Sequence, residues 1–339
     1  MGKEPIIMAK TVRMADIAEK LGVSVVTVSK ALRGKDGVGD ELRAQINRTA
    51  EEMGYISKSN ASESYVIGIL TAGRYLERGS SFYWSLYERL LAHLSASGDF
   101  GFLEVVSSED EAACTVPRIV QERRADGLIA MGTLGLPYMQ MLGKLHIPLT
   151  MLDTYETRLP YDTVISDGYY GMCTMTDYLI RQGHRKLAFV GTLGATSSIT
   201  DRYYGFCRAL TEAGLSPSPE LLFPDRYEDG TFRFSIPEDI TERATALVCN
   251  CDLTALTVCR HLHERGIRVP EDITVVGFDD FGVPAMHGPE LTTYSVDQDG
   301  MAQASATQIR SRITDPQASR SMITVCGSMV LRSSVRKLS

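Results

Sequence analysis

With 339 residues, 44% hydrophobic and 23% charged, the chain has ordinary globular composition and room for two or three domains, which excludes a disordered or fibrous protein. The formal charge is −7, from 35 Lys+Arg against 42 Asp+Glu, and at face value that argues against a nucleic-acid partner. The total hides an asymmetry, because residues 1–58 hold 10 Lys+Arg and 8 Asp+Glu while the remainder holds 25 and 34. A weakly basic head precedes an acidic body, and binding follows the local field.

In the head, Met14, Ile17, Ala18 and Leu21 recur at i, i+3, i+4 and i+7, one apolar face of a short helix that Gly22 ends. Ser24 is placed to cap a second helix from Val25 to about Leu32. Leu42, Ile46, Ala50 and Met53 give a third. Two short helices joined by a tight glycine turn, with a third closing a small core, form a helix-turn-helix unit. If Val28 and Leu32 face inward, then Val25, Val26, Ser29 and Lys30 face out. Exposed valines beside a lysine suit a DNA major groove, where valine meets a thymine methyl and lysine donates to guanine.

From Tyr65 onward, strand-length apolar runs alternate with helical stretches. The strands expected are Val66–Leu70, Phe102–Val106, Gly127–Met131 and Pro148–Leu152, then a second series at Thr163–Ser166, Leu187–Val190, Ala246–Cys249, Ile273–Gly277 and Thr292–Val296. Helices are expected over Trp84–Ser95, Gly171–Arg181, Tyr203–Ala213, Thr254–Arg265 and Met301–Ile313. This alternation predicts two α/β subdomains with parallel sheets and a cleft between them, ligands sitting beyond the carboxyl ends of the strands. The strand ends deliver Phe82, Tyr83 and the only tryptophan, Trp84, then Asp153, Arg202, Asn250 with Asp252, and Asp279 with Asp280. Carboxylates, a guanidinium and flat rings suit a polyhydroxylated ligand. Asp252 equally fits a helix N-cap, and Trp84 equally fits a core.

No G-x-S-x-G, G-x-x-x-x-G-K-[ST] or H-E-x-x-H motif is found, so neither an enzyme nor a cofactor is expected. The seven cysteines are scattered, and the C-x-C of Cys249 and Cys251 has no partner pair, which argues for a reducing compartment and against a metal site. The opening MGKEPIIMAK has no signal-length apolar stretch. The expected location is the cytoplasm, with no membrane partner.

ADIAEKLGVSVVTVSKAL followed by TAEEMGY resembles the N-terminal DNA-reading module of the LacI/GalR family of bacterial transcription regulators. The resemblance implies that Val25, Val26 and Lys30 read bases while Thr27, Ser29 and Arg43 lie at or near phosphates. The family usually has arginine and asparagine where Lys30 and Arg33 stand. Lysine lacks the planar fork, and Arg33 adds a charge within reach of phosphate. Further on, ISDGYYG, GHRKLAFVG, VPEDITVVGFDD, LTT and VLRSSVR resemble the family's effector-binding core. They imply a small all-α helix-turn-helix domain followed by two α/β parallel-sheet subdomains, periplasmic-binding-protein-like. Arg202 and Asp279 match the effector-contacting arginine and aspartate, Asp153 is a third candidate, and His184 matches a packing histidine. Cys251 replaces the asparagine usual before the aspartate.

The domains implied are 10–57, helix-turn-helix; 58–65, linker; 66–163 plus 295–322, N-terminal effector subdomain; and 164–294 plus 323–339, C-terminal effector subdomain. Tyr55 and Gly68 are 13 positions apart, fewer than the family places there, and ISKSNASESYVI has no leucine. A short linker without the usual hinge helix is therefore expected, and with it weaker coupling between ligand and DNA. The function implied is a ligand-responsive repressor, a homodimer on a pseudo-palindromic double-stranded operator, with a sugar-like effector in the cleft. The competing reading is a cytoplasmic sugar-binding protein with no DNA role.

Overall fold

A computed structural model describes residues 14–32, 37–53, 64–76, 82–227, 235–281 and 289–338. Arg33 and linker positions 58–63 lie outside the described residues. The chain divides into two units, Met1–Ser64 and Tyr65–Ser339. In the first, α1 (Met14–Leu21), α2 (Val25–Leu32) and α3 (Asp40–Glu52) bury Ile17, Ala18, Val28, Ala31, Ile46 and Ala50 in one cluster, with Leu32 packed against it. Gly22 adopts φ +66° between α1 and α2, a conformation that costs glycine little. The Val23 N–H then donates back to the Ala18 carbonyl at 3.1 Å.

The second unit opens with β1 (Val66–Ala72), α4 (Phe82–Ala96), β2 (Phe100–Val106), α5 (Ser108–Ala113), α6 (Arg118–Gln121), β3 (Gly127–Met131), α7 (Leu136–Gly143), β4 (Leu149–Leu152) and β5 (Asp162–Ser166). It continues through α8 (Gly168–Arg181), β6 (Leu187–Val190), α9 (Ser197–Glu212), β7 (Leu222–Phe223), α10 (Ile240–Arg243), β8 (Ala246–Cys249), α11 (Asp252–Glu264) and β9 (Thr274–Val276). It closes with β10 (Thr293–Ser295), α12 (Gln298–Thr314), β11 (Met322–Val325) and β12 (Ser328–Val330).

Two parallel sheets result, ordered β11-β5-β4-β3-β1-β2 and β7-β6-β8-β9, with an antiparallel β10-β12 pair. Leu86, Leu90 and Leu94 of α4, spaced four apart, pack with Ile67 and Ile69 of β1, while the opposite face sets Leu70 and Leu128 against Tyr138 and Leu142 of α7. Burying both faces is what a parallel sheet requires. His184 is fully buried between Thr245 and the Arg336 carbonyl, so it packs the C-terminal segment.

One grouping differs from the sequence reading. Thr163–Ser166 does not open the second series: β5 pairs with β4 and β11 in the first sheet, where Val164 joins the core. The chain leaves that sheet only after Ser166, and it returns through β10 to α12. It leaves again between β11 and β12, so a boundary at 322/323 would cut β11.

Candidate functional site

The head presents one exposed helical face. Ser24 Oγ accepts the Thr27 N–H at 3.0 Å, capping α2 as expected, and sits 2.8 Å from the Thr27 hydroxyl. Val28 and Ala31 are buried, whereas Val25 is 47% and Val26 65% exposed, with Lys30 exposed on the same side. Thr27 and Ser29 are half-buried at its edge. Half-buried Arg43 donates to the Val38 carbonyl at 3.3 Å, which ties α3 to the residues just ahead of it.

In the second unit, the loops after β4, β8 and β9 and the starts of α4 and α9 bring five of the predicted residues together. Tyr83 donates its hydroxyl to Asp153 at 2.8 Å. Arg202 pairs with Asp279 at 2.9 Å, donates to the Asn250 carbonyl at 2.7 Å, and lies with its guanidinium 4.0 Å from the Phe278 ring centroid. Arg202 comes from the second turn of α9 rather than from a loop. Its Nε is buried with no hydrogen-bond partner, a donor that a ligand oxygen would satisfy.

Three carboxylates here sit on left-handed backbone: Asp153 at φ +58°, Asp279 at +109° and Asp280 at +51°. Such strain outside glycine persists only where the surroundings over-determine it, and it concentrates at functional sites. Asp252 supplies that constraint. Its N–H donates to the Phe278 carbonyl at 2.7 Å and its carboxyl accepts the Thr293 hydroxyl at 2.7 Å. A Cβ at Gly277 would collide with Asp252 Oδ1, so glycine is required there. Asp252 thus braces the turn that carries Asp279.

Burial raises the Asp153 carboxyl above its ordinary range, with Arg202 and Tyr83 opposing. Burial, aided by the Asp153 charge and opposed by Arg202, pushes Asp279 up to about 6. Asp252 rises to about 8 through burial and the nearby Asp279 and Asp280 charges.

The remaining candidates part from this cluster. Phe82 packs against the core, and Trp84 is 42% exposed with its ring 5.6 Å from Tyr87. The Asn250 side chain points away into the floor, donating to Asp225 at 2.7 Å and to the Val190 carbonyl at 3.0 Å. That floor holds a residue the sequence reading missed. Arg226 grips Asp225 with two bonds, 3.0 and 2.6 Å, and its charge reaches Tyr75, Cys251 and Asp279. Arg226 lies three residues beyond β7, a strand of only two residues, in a segment with no readable periodicity. An open pocket of about 660 Å³ adjoins the cluster, sharing Asp279 and bounded by Arg89, Asp280, Gln298 and Ser328.

Residues 13–58 match the family described as "Bacterial regulatory proteins, lacI family", and residues 176–335 match a "Periplasmic binding protein-like domain". Head and body thus match, in order, the two parts of a lacI-family regulator. It is 25% identical over 332 residues to the HTH-type transcriptional repressor PurR of Aliivibrio salmonicida, covering 95% of this chain and 98% of that one. Among solved structures it resembles a transcriptional regulator CelR–cellobiose complex, with TM-score 0.68, 21% identity, and 95% and 99% of the two chains covered. It also resembles the lac repressor dimer bound to operator and the anti-inducer ONPF, with TM-score 0.67, 23% identity, and 96% and 100% covered. The fold is that of a LacI-family regulator, a helix-turn-helix head followed by a periplasmic-binding-protein-like body, and not an enzyme. No described helix is long and apolar enough to cross a membrane.

Proposed function

We propose that this chain is a cytoplasmic, dimeric repressor that reads a pseudo-palindromic operator and answers to an uncharged sugar or sugar-like effector in the cleft. The observation that carries the DNA half is the outward face of α2, where two exposed valines stand beside Lys30 on a capped helix. Apolar side chains so placed gain from thymine methyls what water would not give them. A two-fold dimer of such heads reads two half-sites about one helical turn apart. Base contacts fall to Val25, Val26 and Lys30, and phosphate contacts to Thr27, Ser29, Arg33 and Arg43.

In the cleft, each guanidinium already faces a carboxylate, Arg202 with Asp279 and Arg226 with Asp225. The local charge is nearly balanced, which favours a neutral ligand with many hydroxyls. Tyr83, Asp153, Arg202 and Asp279 are its contacts in this reading, and the relative solved with cellobiose supports a carbohydrate. Asp252 and Asn250 shape the site from behind, and Phe82 and Trp84 flank it.

Selection of random duplexes by the full chain, followed by footprinting, tests the first half. A two-fold sequence is expected, and recovery of no preferred sequence would leave only the sugar-binding reading. A thermal-shift panel of neutral sugars beside their phosphates tests the second, because a bound ligand stabilises by mass action. Stabilisation by a neutral sugar that Asp279→Ala abolishes is expected; a response to phosphates alone would overturn the neutral assignment.

A further inference from the structure

Tyr65, the residue at which the linker enters the second unit, is held from three directions. Its N–H donates to Asp99 Oδ1 at 2.9 Å, its carbonyl accepts the Phe100 N–H at 2.8 Å, and the Arg310 guanidinium lies 5.0 Å from its ring centroid. Asp99, with a side chain only 1% exposed, takes Arg310 Nη1 on both oxygens at 2.6 and 2.7 Å. A buried carboxylate holding a guanidinium and a backbone N–H together is a firm anchor.

Arg310 belongs to α12, and the other end of α12 adjoins the candidate effector site. The Asp279 N–H donates to the Tyr294 carbonyl at 2.8 Å, and the Val296 N–H donates back to the Asp279 carbonyl at 3.3 Å. The next residue, Asp297, caps α12 by accepting the Gly300 N–H at 2.9 Å. Arg310 lies twelve positions beyond Gln298, about 18 Å along the helix. Met301, Ala302, Ser305, Ala306 and Ile309 bury its inner face, and close packing of this kind transmits strain along a helix.

We propose that the Arg310–Asp99–Tyr65 clamp transmits the state of the Arg202–Asp279 pair to the tether of the DNA-reading head, with α12 as the lever. Arg310 and Asp99 are positioning residues that touch neither DNA nor effector. This gives the chain a coupling route that needs no hinge helix, and it rests on the DNA-binding reading above.

The test needs no effector, because Asp279→Asn weakens the pair directly. Operator affinity is measured for the wild type, Asp279→Asn, Arg310→Gln and the double variant, using full chains and the duplex recovered by selection. Asp279→Asn is expected to shift the operator Kd at least fivefold in the wild-type background, within the usual span of about 5–150-fold for allosteric coupling. With Arg310→Gln present, the same substitution is expected to shift it less than twofold. Independent effects that simply multiply overturn the clamp, and so does an Asp279→Asn chain with unchanged affinity. Arg310→Gln leaves Asp99 buried beside a weaker partner, so Asp99→Asn with Arg310→Gln, which removes both charges, serves if the single variant fails to fold. Failure to select any duplex overturns the DNA reading and the clamp together. A selected duplex with multiplying effects overturns the clamp alone.

Discussion

Arg202 Nη2 and Asp279 Oδ1 lie 2.9 Å apart, joining the second turn of α9 to the strained turn after β9, and their side chains are only 6% and 14% exposed. Taking two charges out of water is expensive, and their attraction in a dry site roughly repays it. The pair therefore adds little stability compared with an apolar packing of similar volume. Its effect is geometric, since it fixes a guanidinium edge and a carboxylate side by side.

Breaking the pair from one side leaves an uncompensated buried charge. Asp279→Ala is expected to cost about 3–5 kcal/mol in urea unfolding at pH 7. Arg202→Met with Asp279→Leu, which removes both charges and keeps the volume, is expected to recover most of that loss. If the double variant is no more stable than Asp279→Ala, the burial-driven account of this pair is wrong.

Arg226 makes the opposite contribution. Burial alone would raise the Asp225 carboxyl, yet Arg226 and the hydrogen bonds from Asn250 and Thr254 hold it down at about 2. A depressed carboxylate pKa means stability that is present above the unfolded value near 4 and lost as pH falls through about 2. Arg226→Ala is expected to cost about 2 kcal/mol or more at pH 7. The deficit shrinks as pH falls to 4, because the freed Asp225 takes up a proton. Urea melts of both chains at pH 7 and pH 4 measure this; a deficit independent of pH would assign Arg226 a packing role only.

The long elements were legible because their periodicity is undiluted. Gly127–Met131, Leu187–Val190 and Ala246–Cys249 are uninterrupted apolar runs, and the structure starts and stops them at the same residues. Helix α9 was read six residues short, since its first turn, SSITD, is mostly polar and only the Thr196 cap, 3.1 Å from the Ile199 N–H, announces it. Arg202, Asp279 and Asp153 were legible as strand-end or family positions. Arg226 was not, because it sits in the irregular segment after a two-residue strand, where there is nothing to count. The grouping of β5 failed for a different reason: sequence order lists strands without saying which neighbour each one chooses.

Asp252 yields a prediction with the reverse sign of Asp225. Its folded pKa, about 8, exceeds the usual carboxyl value, so the folded chain binds a proton that the unfolded chain releases. Stability contributed by that proton is present below pH 4 and is lost as pH rises from about 4 to about 8, with Asp279 titrating in the lower half of the window. Asp252→Asn carries a permanent neutral group of the same shape. Its melting temperature is expected to fall less than that of the wild type between pH 5 and pH 8.5. Parallel declines in calorimetric scans of both chains would show that Asp252 enters the fold already ionised.

In the proposed reading, Lys30 contacts a base rather than a phosphate. It lies four residues after Val26, on the same exposed face of α2, which would place the two at neighbouring base pairs in the proposed reading. A lysine on guanine and a lysine on phosphate both weaken binding when removed, but they differ in what remains. For a base contact, Lys30→Ala is expected to cost about 1–3 kcal/mol and to relax preference at one position of the selected half-site. For a phosphate contact the loss is uniform across sequences, and the slope of log K against log salt falls by about 1. The head, residues 1–58, carries a net charge of only +2, so few counterions are released and electrostatic grip is modest. Base contacts then carry a large share of affinity, and relaxation at one position with the salt slope nearly intact is the expected result. Repeating the duplex selection with Lys30→Ala measures both; an unchanged consensus with a lowered slope would move Lys30 to the phosphates.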